Sequence, residues 1–140
     1  MRILALDYGT VRVGVAVSDE LKIIAQPLEF IAAQPAEGLL ARLQQILREK
    51  EVELIIIGLP RNMNGSDGPA AESARRFAET LRQSVPQPIK MLDERLTSVQ
   101  ANRLLIQAKV RRAEQKKKVD MMAAAILLQS YLDSLEAGMG

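Results

Sequence analysis

The stretch Ile3-Leu4-Ala5-Leu6-Asp7-Tyr8-Gly9-Thr10, continued by Val11-Arg12-Val13-Gly14-Val15-Ala16-Val17-Ser18-Asp19, decides how the rest of the chain is read. Its first half is an unbroken apolar run that ends in a carboxylate, and its second half alternates, with valine at 11, 13, 15 and 17. A continuous run reads as a strand buried on both faces, alternation as a half-buried strand, and Gly9-Thr10 as the turn between them. A hairpin is therefore predicted. It leaves Asp7 at the end of a central strand, where a charge is costly unless it has a partner. Two readings are open at this point: Asp7 satisfies the backbone of the turn, or it holds a cation.

Beyond the hairpin, residues 22–31 read as a third strand, with Pro27 suggesting an edge position or a bulge. In residues 35–50, Leu39, Leu40, Leu43, Ile46 and Leu47 fall at helical spacing. Residues 52–58 form a second β-branched run, as in a helix-covered parallel strand. Pro60, Asn64-Gly65 and Asp67-Gly68 mark a loop over 59–68. Pro69 then suits the first turn of a helix to about residue 84, with Ala70, Ala74, Phe77, Ala78 and Leu81 inward. Residues 89–92 are a short strand running into Asp93-Glu94-Arg95. Thr97 to Gln100 is a capping box opening a helix with Ala101, Leu104, Leu105 and Ala108 inward. A basic stretch over 109–118 precedes a last, largely buried helix over 119–135. This order predicts an α/β fold: a mixed five-stranded sheet, three antiparallel strands then two parallel, with helices on both faces. One domain over 1–135 and a fraying tail over 136–140 are expected.

Composition narrows the chemistry. With neither Cys nor His among the 140 residues, thiolate zinc sites, cysteine nucleophiles, Ser-His-Asp triads and imidazole bases are all excluded. Any catalysis must rest on carboxylates, Lys, Arg, Tyr, Ser or Thr, and carboxylate clusters suit hard cations such as magnesium or manganese. The first apolar run lacks the form of a secretory leader, and no apolar run reaches membrane-spanning length, so the cytoplasm and no membrane are expected. The net charge is only +2, so a nucleic-acid partner must be argued from where the charge sits.

Three acids stand where solvated surface charge does not explain them: Asp7, Glu94 (with Asp93) and Asp120, the last opening the run Met121 to Leu128. Asp120 alone could be a first-turn acid favoured by the helix dipole, and Asp93-Glu94-Arg95 alone could be a loop ion pair. Together they point further. In a sheet of this kind the crevice lies at the carboxyl ends of the parallel strands, where Asp7 and Glu94 both fall, and a buried last helix would bring Asp120 across. Converging carboxylates repel and call for a divalent cation, which is the arrangement of phosphoryl-transfer chemistry. Strand parity allows only one of Asp93 and Glu94 to face that cation.

Leu6-Asp7-Tyr8-Gly9-Thr10 with Gly14-Val15-Ala16-Val17, Gly58-Leu59-Pro60-Arg61-Asn62-Met63-Asn64-Gly65, Asp93-Glu94-Arg95-Leu96-Thr97-Ser98 and Lys118-Val119-Asp120 are four motifs in order over nearly the whole chain. They resemble the YqgF/RuvX family. The resemblance implies an RNase H-like fold related to the RuvC junction resolvases. It implies a nuclease acting at the 5′ end of the 16S rRNA precursor, with some members resolving junctions, and it implies that Asp7, Glu94 and Asp120 bind Mg2+ or Mn2+. Resolvases tend to carry a further acid one turn along the last helix; here residue 123 is Ala and residue 117 is Lys.

The densest positive cluster is Lys109, Arg111, Arg112, Lys116, Lys117 and Lys118, just before Asp120. It reads either as a solvated face or as contacts to a nucleic-acid backbone. Arg12, Arg61 and Arg95 fall at the rim of the expected crevice, Arg95 either clamping a phosphate or pairing with Asp93. The expectation is a metal-dependent endonuclease acting on structured RNA, most directly the ribosomal RNA precursor. The alternatives are a resolvase of branched DNA, a non-catalytic RNA-binding ribosome-assembly factor, and an actin-like nucleotide-binding module, the last requiring a second domain for which the chain is short. Few apolar stripes remain to name an interface, so monomer and homodimer both stay open.

Overall fold

The computed structural model describes residues 1–60, 64–93 and 112–136, with the side chains of 112–121 and 136 outside that description. In chain order the elements are β1 (Arg2–Tyr8), β2 (Arg12–Ser18), β3 (Ala25–Ala32), α1 (Ala36–Glu49), β4 (Val52–Leu59), α2 (Pro69–Arg82), β5 (Ile89–Asp93) and α3 (Arg112–Glu136). The five strands form one sheet in the order β3-β2-β1-β4-β5. The first three are antiparallel neighbours, and β4 and β5 run parallel to β1. The two apolar runs that read as doubly buried strands, β1 and β4, are the adjacent inner strands.

Alternation along β1 divides its side chains between two cores. Leu4 and Leu6 join Val13, Val15 and Val17, Ile55 and Ile57, and the inward stripes of α1 and α2. Ile3 and Ala5 join Ala16, Ile56 and the α3 residues Ala124, Ala125, Leu127, Leu128, Tyr131 and Leu132. Ala5 and Ala16 are cross-strand partners. Helix–sheet spacing follows the side chains at the contact, so alanines on both surfaces let α3 lie close to the sheet. Gln129 fixes its height: its Oε1 accepts from the Ala25 N–H at 2.9 Å and its Nε2 donates to the Ile23 carbonyl at 2.9 Å.

Several boundaries differ from the sequence reading, each for a local reason. The third strand begins at Ala25, because Asp19 Oδ1 accepts from the N–H groups of Ile23 and Ile24 and folds 19–24 into a turn. Leu21, Ile23 and Ile24 are exposed there, so an apolar surface stands where none was expected. Pro27 meets both of its expectations, since β3 is an edge strand and its register with β2 shifts beside Pro27. In α2 the buried first-turn residue is Ala71, while Ala70 is exposed. The last helix starts at Arg112, not at 119, so Arg112, Lys116, Lys117 and Lys118 belong to its first turns. Helix formers such as Ala113, Glu114 and Gln115 extend a helix without any apolar stripe to announce it. The helix expected from Thr97 lies outside the described residues, as does the tail beyond 136. No helix among the described residues is long and apolar enough to cross a membrane.

Candidate active site

Asp7 stands one residue before the end of β1, on the face that α3 covers, as its parity with Ile3 and Ala5 requires. Its partner across β2 is Gly14. On the other side Leu6 pairs with Ile57, so the ladder continued by one residue sets Gly58 beside it. Glycine inside a strand often marks a close approach by a ligand. Here glycines stand on both flanks, so neither residue directly beside Asp7 in the sheet has a side chain to shield the carboxylate. Asp7 is half-buried, and among the described residues no hydrogen bond or ion pair reaches its carboxylate.

The carboxylate lines a cavity of about 250 Å3 with Gly9, Thr10, Val11, Arg12, Gly14 and Phe30. Phe30 pairs with Gly14, which brings it into the row of Asp7. The Arg12 guanidinium lies over the Phe30 ring at 4.4 Å from its centroid. The cavity thus combines an acid with a cation held on an aromatic platform. Gly9 shapes its rim: the Gly9 N–H donates to the Arg12 carbonyl at 3.1 Å, and a Cβ at Gly9 would stand 2.7 Å from that oxygen. Asp7 is therefore not capping this turn; the backbone closes it.

The remaining expected residues divide into two groups. Asp120, Arg112, Lys116, Lys117 and Lys118 are carried by α3, with their side chains outside the description. Residue 120 lies one turn before Ala124, which is packed against the sheet. Glu94, Arg95, Arg61, Lys109 and Arg111 lie outside the described residues. Asp93 ends β5 with the parity of Ile89 and Met91, which pack on the α1/α2 face, whereas Leu92 packs on the α3 face. Asp93 therefore faces away from Asp7. Among the described residues there is no cluster of three or more acids. The carboxylate of Asp7, open to a cavity and without a partner among the described residues, is a hard-oxygen donor that suits a divalent cation.

Sequence reasoning singled out Asp7 and Arg12 but missed the parts that frame them. Phe30 read only as a strand residue, Gly14 only as part of a motif, and Gly58 only as the end of a strand and the start of a motif. The register of three strands identifies all of them, and a register is not written in any one strand.

The RuvX family model, described as Holliday junction resolvase, matches residues 1–134. A protein of Geobacillus kaustophilus named "Putative pre-16S rRNA nuclease" is 51% identical over 136 residues, covering 96% of this chain and 99% of its own. One of Pelotomaculum thermopropionicum with the same name is 46% identical, covering 96% and 88%. Among solved structures, Thermus thermophilus RuvC in complex with a Holliday junction superposes with a TM-score of 0.58 at 14% identity, covering 99% and 97% of the two chains. The fowlpox virus resolvase with its junction DNA gives 0.56 at 14%, covering 96% and 99%. At these identities the structures establish the fold alone, the RNase H-like fold of the RuvC resolvases.

Proposed function

The chain belongs to the RuvX family, and from that premise we propose that it is a metal-dependent endonuclease that processes the 5′ end of the 16S rRNA precursor in the cytoplasm. The observation that carries the reading is Asp7: a half-buried, unshielded carboxylate at the open carboxyl end of the central strand, under the helix that bears Asp120. Distances along the elements support their meeting. Gln129 is anchored at Ala25, which pairs with Ser18, level with Ile3. From residue 129 back to 120 the helix rises about 13 Å, and from Ile3 to Asp7 the strand also rises about 13 Å. Asp93 turns to the other face, which supports Glu94 as the acid of that pair for the site.

Asp7, Glu94 and Asp120 would hold Mg2+ or Mn2+, which when bound activates water and stabilises charge on the leaving oxygen. Arg12 on Phe30 would orient a phosphate beside Asp7. The basic residues at the start of α3 would contact the backbone of a structured RNA without reading its sequence.

A second reading, resolution of branched DNA, is favoured by the family's description. One experiment addresses both: cleavage of a precursor-rRNA fragment and of a four-way DNA junction, with magnesium or manganese and with chelator, by wild type and by Asp7→Asn. The wild type is expected to cut the RNA in a metal-dependent way, and Asp7→Asn to fold and bind RNA but not cut. Full cleavage by rigorously purified Asp7→Asn would sink the nuclease reading. Cutting of the junction alone would transfer it to DNA. RNA binding without any cutting would favour the assembly-factor alternative.

A further inference from the structure

A second cavity, about 220 Å3, opens on the α1/α2 face of the sheet at the same end of β1. Tyr8, the neighbour of Asp7, lines it and is stacked on Phe77, the ring centroids 4.5 Å apart and the planes 19° from parallel. Two of the four aromatics of the chain are spent on this pair. Core packing accounts for Phe77, which is buried. It does not account for the polar side chains set around the same cavity: Gln34, Ser73, Thr80 and Arg76.

Those polar groups are lightly committed. Among the described residues no hydrogen bond reaches the Gln34 amide. Thr80 Oγ1 donates to the Arg76 carbonyl at 3.1 Å and keeps its lone pairs for accepting. Arg76 is exposed, and among the described residues its guanidinium reaches only Ser73 Oγ, at a long 3.5 Å. An apolar, aromatic-walled cavity with a few donors and acceptors suits a flat heterocycle, and a cation at its rim suits a phosphate. The volume is below that of drug-sized sites, enough for one base and not for a base pair.

The position ties this cavity to the first. The loop over residues 9–12 lies between them, closed by Gly9 N–H to the Arg12 carbonyl at 3.1 Å and by Ala33 N–H to the Val11 carbonyl at 3.0 Å. Gly9, Thr10 and Val11 line the Asp7 side, and Tyr8 and Ala33 line the other. We propose that this second cavity receives one unpaired base of the RNA strand whose backbone crosses that loop to Asp7, with Gln34 and Thr80 on the base edge and Arg76 on its phosphate. The proposal rests on the nuclease reading for the identity of the strand.

The test begins without metal. Isotope-labelled protein is titrated with adenosine monophosphate, uridine monophosphate and inorganic phosphate, followed by NMR of the methyl and ring signals. The nucleotides are expected to shift Ala33, Leu39, Leu40, Tyr8 and Phe77 saturably, and phosphate alone to leave them in place. Arg76→Ala should weaken nucleotide binding about tenfold, and Thr80→Trp, a substitution at an exposed helix position that fills the cavity, should abolish it. In cleavage, removing the bases one at a time from the RNA should raise KM at one position near the cut, and Thr80→Trp should erase that sensitivity. Absence of nucleotide shifts at these residues, with wild type still cleaving and Asp7→Asn inactive, overturns the base site and leaves the nuclease standing. Shifts at the cavity with no cleavage by wild type keep the base site and sink the nuclease reading.

Discussion

Gly9 shows how little separates a working rim from a broken one. A methyl group there would meet the Arg12 carbonyl at 2.7 Å, a backbone atom that cannot rotate aside. Gly9→Ala is expected to cost about 1–3 kcal/mol of stability, the usual range for overpacking. It should also displace the 9–12 loop, so that cleavage falls at temperatures where the variant is still folded. Urea unfolding beside cleavage rates checks both, and unchanged cleavage would separate the loop from the site. At this scale the sequence was informative about charge and uninformative about surroundings. Asp7 is conspicuous as an acid after four buried apolar residues. The glycines beside it and the Phe30 platform under Arg12 become visible only once strands are aligned.

At the scale of elements, the seat of α3 decides whether its acid and its basic turns lie near Asp7. That seat is built from alanines, Ala5 and Ala16 on the sheet and Ala124 and Ala125 on the helix. Ala16→Leu should lift the helix, costing about 1–3 kcal/mol, and should reduce cleavage well below the unfolding temperature; cleavage equal to wild type there would show that the position of α3 is immaterial. The opposite face has a polar tie instead. Arg42 of α1 donates to both carboxylate oxygens of Glu29 on β3, at 2.9 and 2.6 Å, and this pairing holds the Glu29 carboxyl below the usual glutamate range despite its partial burial. A lowered folded-state value stabilises the fold above the ordinary range and stops doing so as pH falls through the lowered value. Below about pH 4.3, wild type should therefore lose stability more steeply than Glu29→Gln. Urea unfolding from pH 6 to pH 3 gives the comparison, and equal slopes would mean the pair contributes nothing.

For the whole molecule, a net charge of only +2 makes the proposed nucleic-acid contact a matter of where charge is gathered. A variant with Lys116→Ala, Lys117→Ala and Lys118→Ala should bind RNA more weakly, with the slope of log K against log salt shallower by roughly 2–3. Filter binding over a salt series measures it; an unchanged slope would return these lysines to the status of a solvated face. Relatives near half identity match 96% of this chain, whereas Thermus thermophilus RuvC shares its fold at 14% identity. The fold therefore tolerates wide sequence change.

The residue string alone carried the element order, the mixed sheet, the two buried strands β1 and β4 and the carboxylate at the end of β1, because each is a short-range pattern of apolar spacing and turn residues. It excluded His and Cys chemistry outright. It placed the start of the last helix too late, since a solvated helical turn carries no apolar signal. Tertiary packing alone set which face each strand residue takes, and so placed Asp7 under α3 with a glycine on either side, turned Asp93 away from it, and stacked Tyr8 on Phe77 on the opposite face of the sheet. Those are matters of register and packing between segments far apart in the chain, and such pairings are fixed by the shared cores and by no local run of residues.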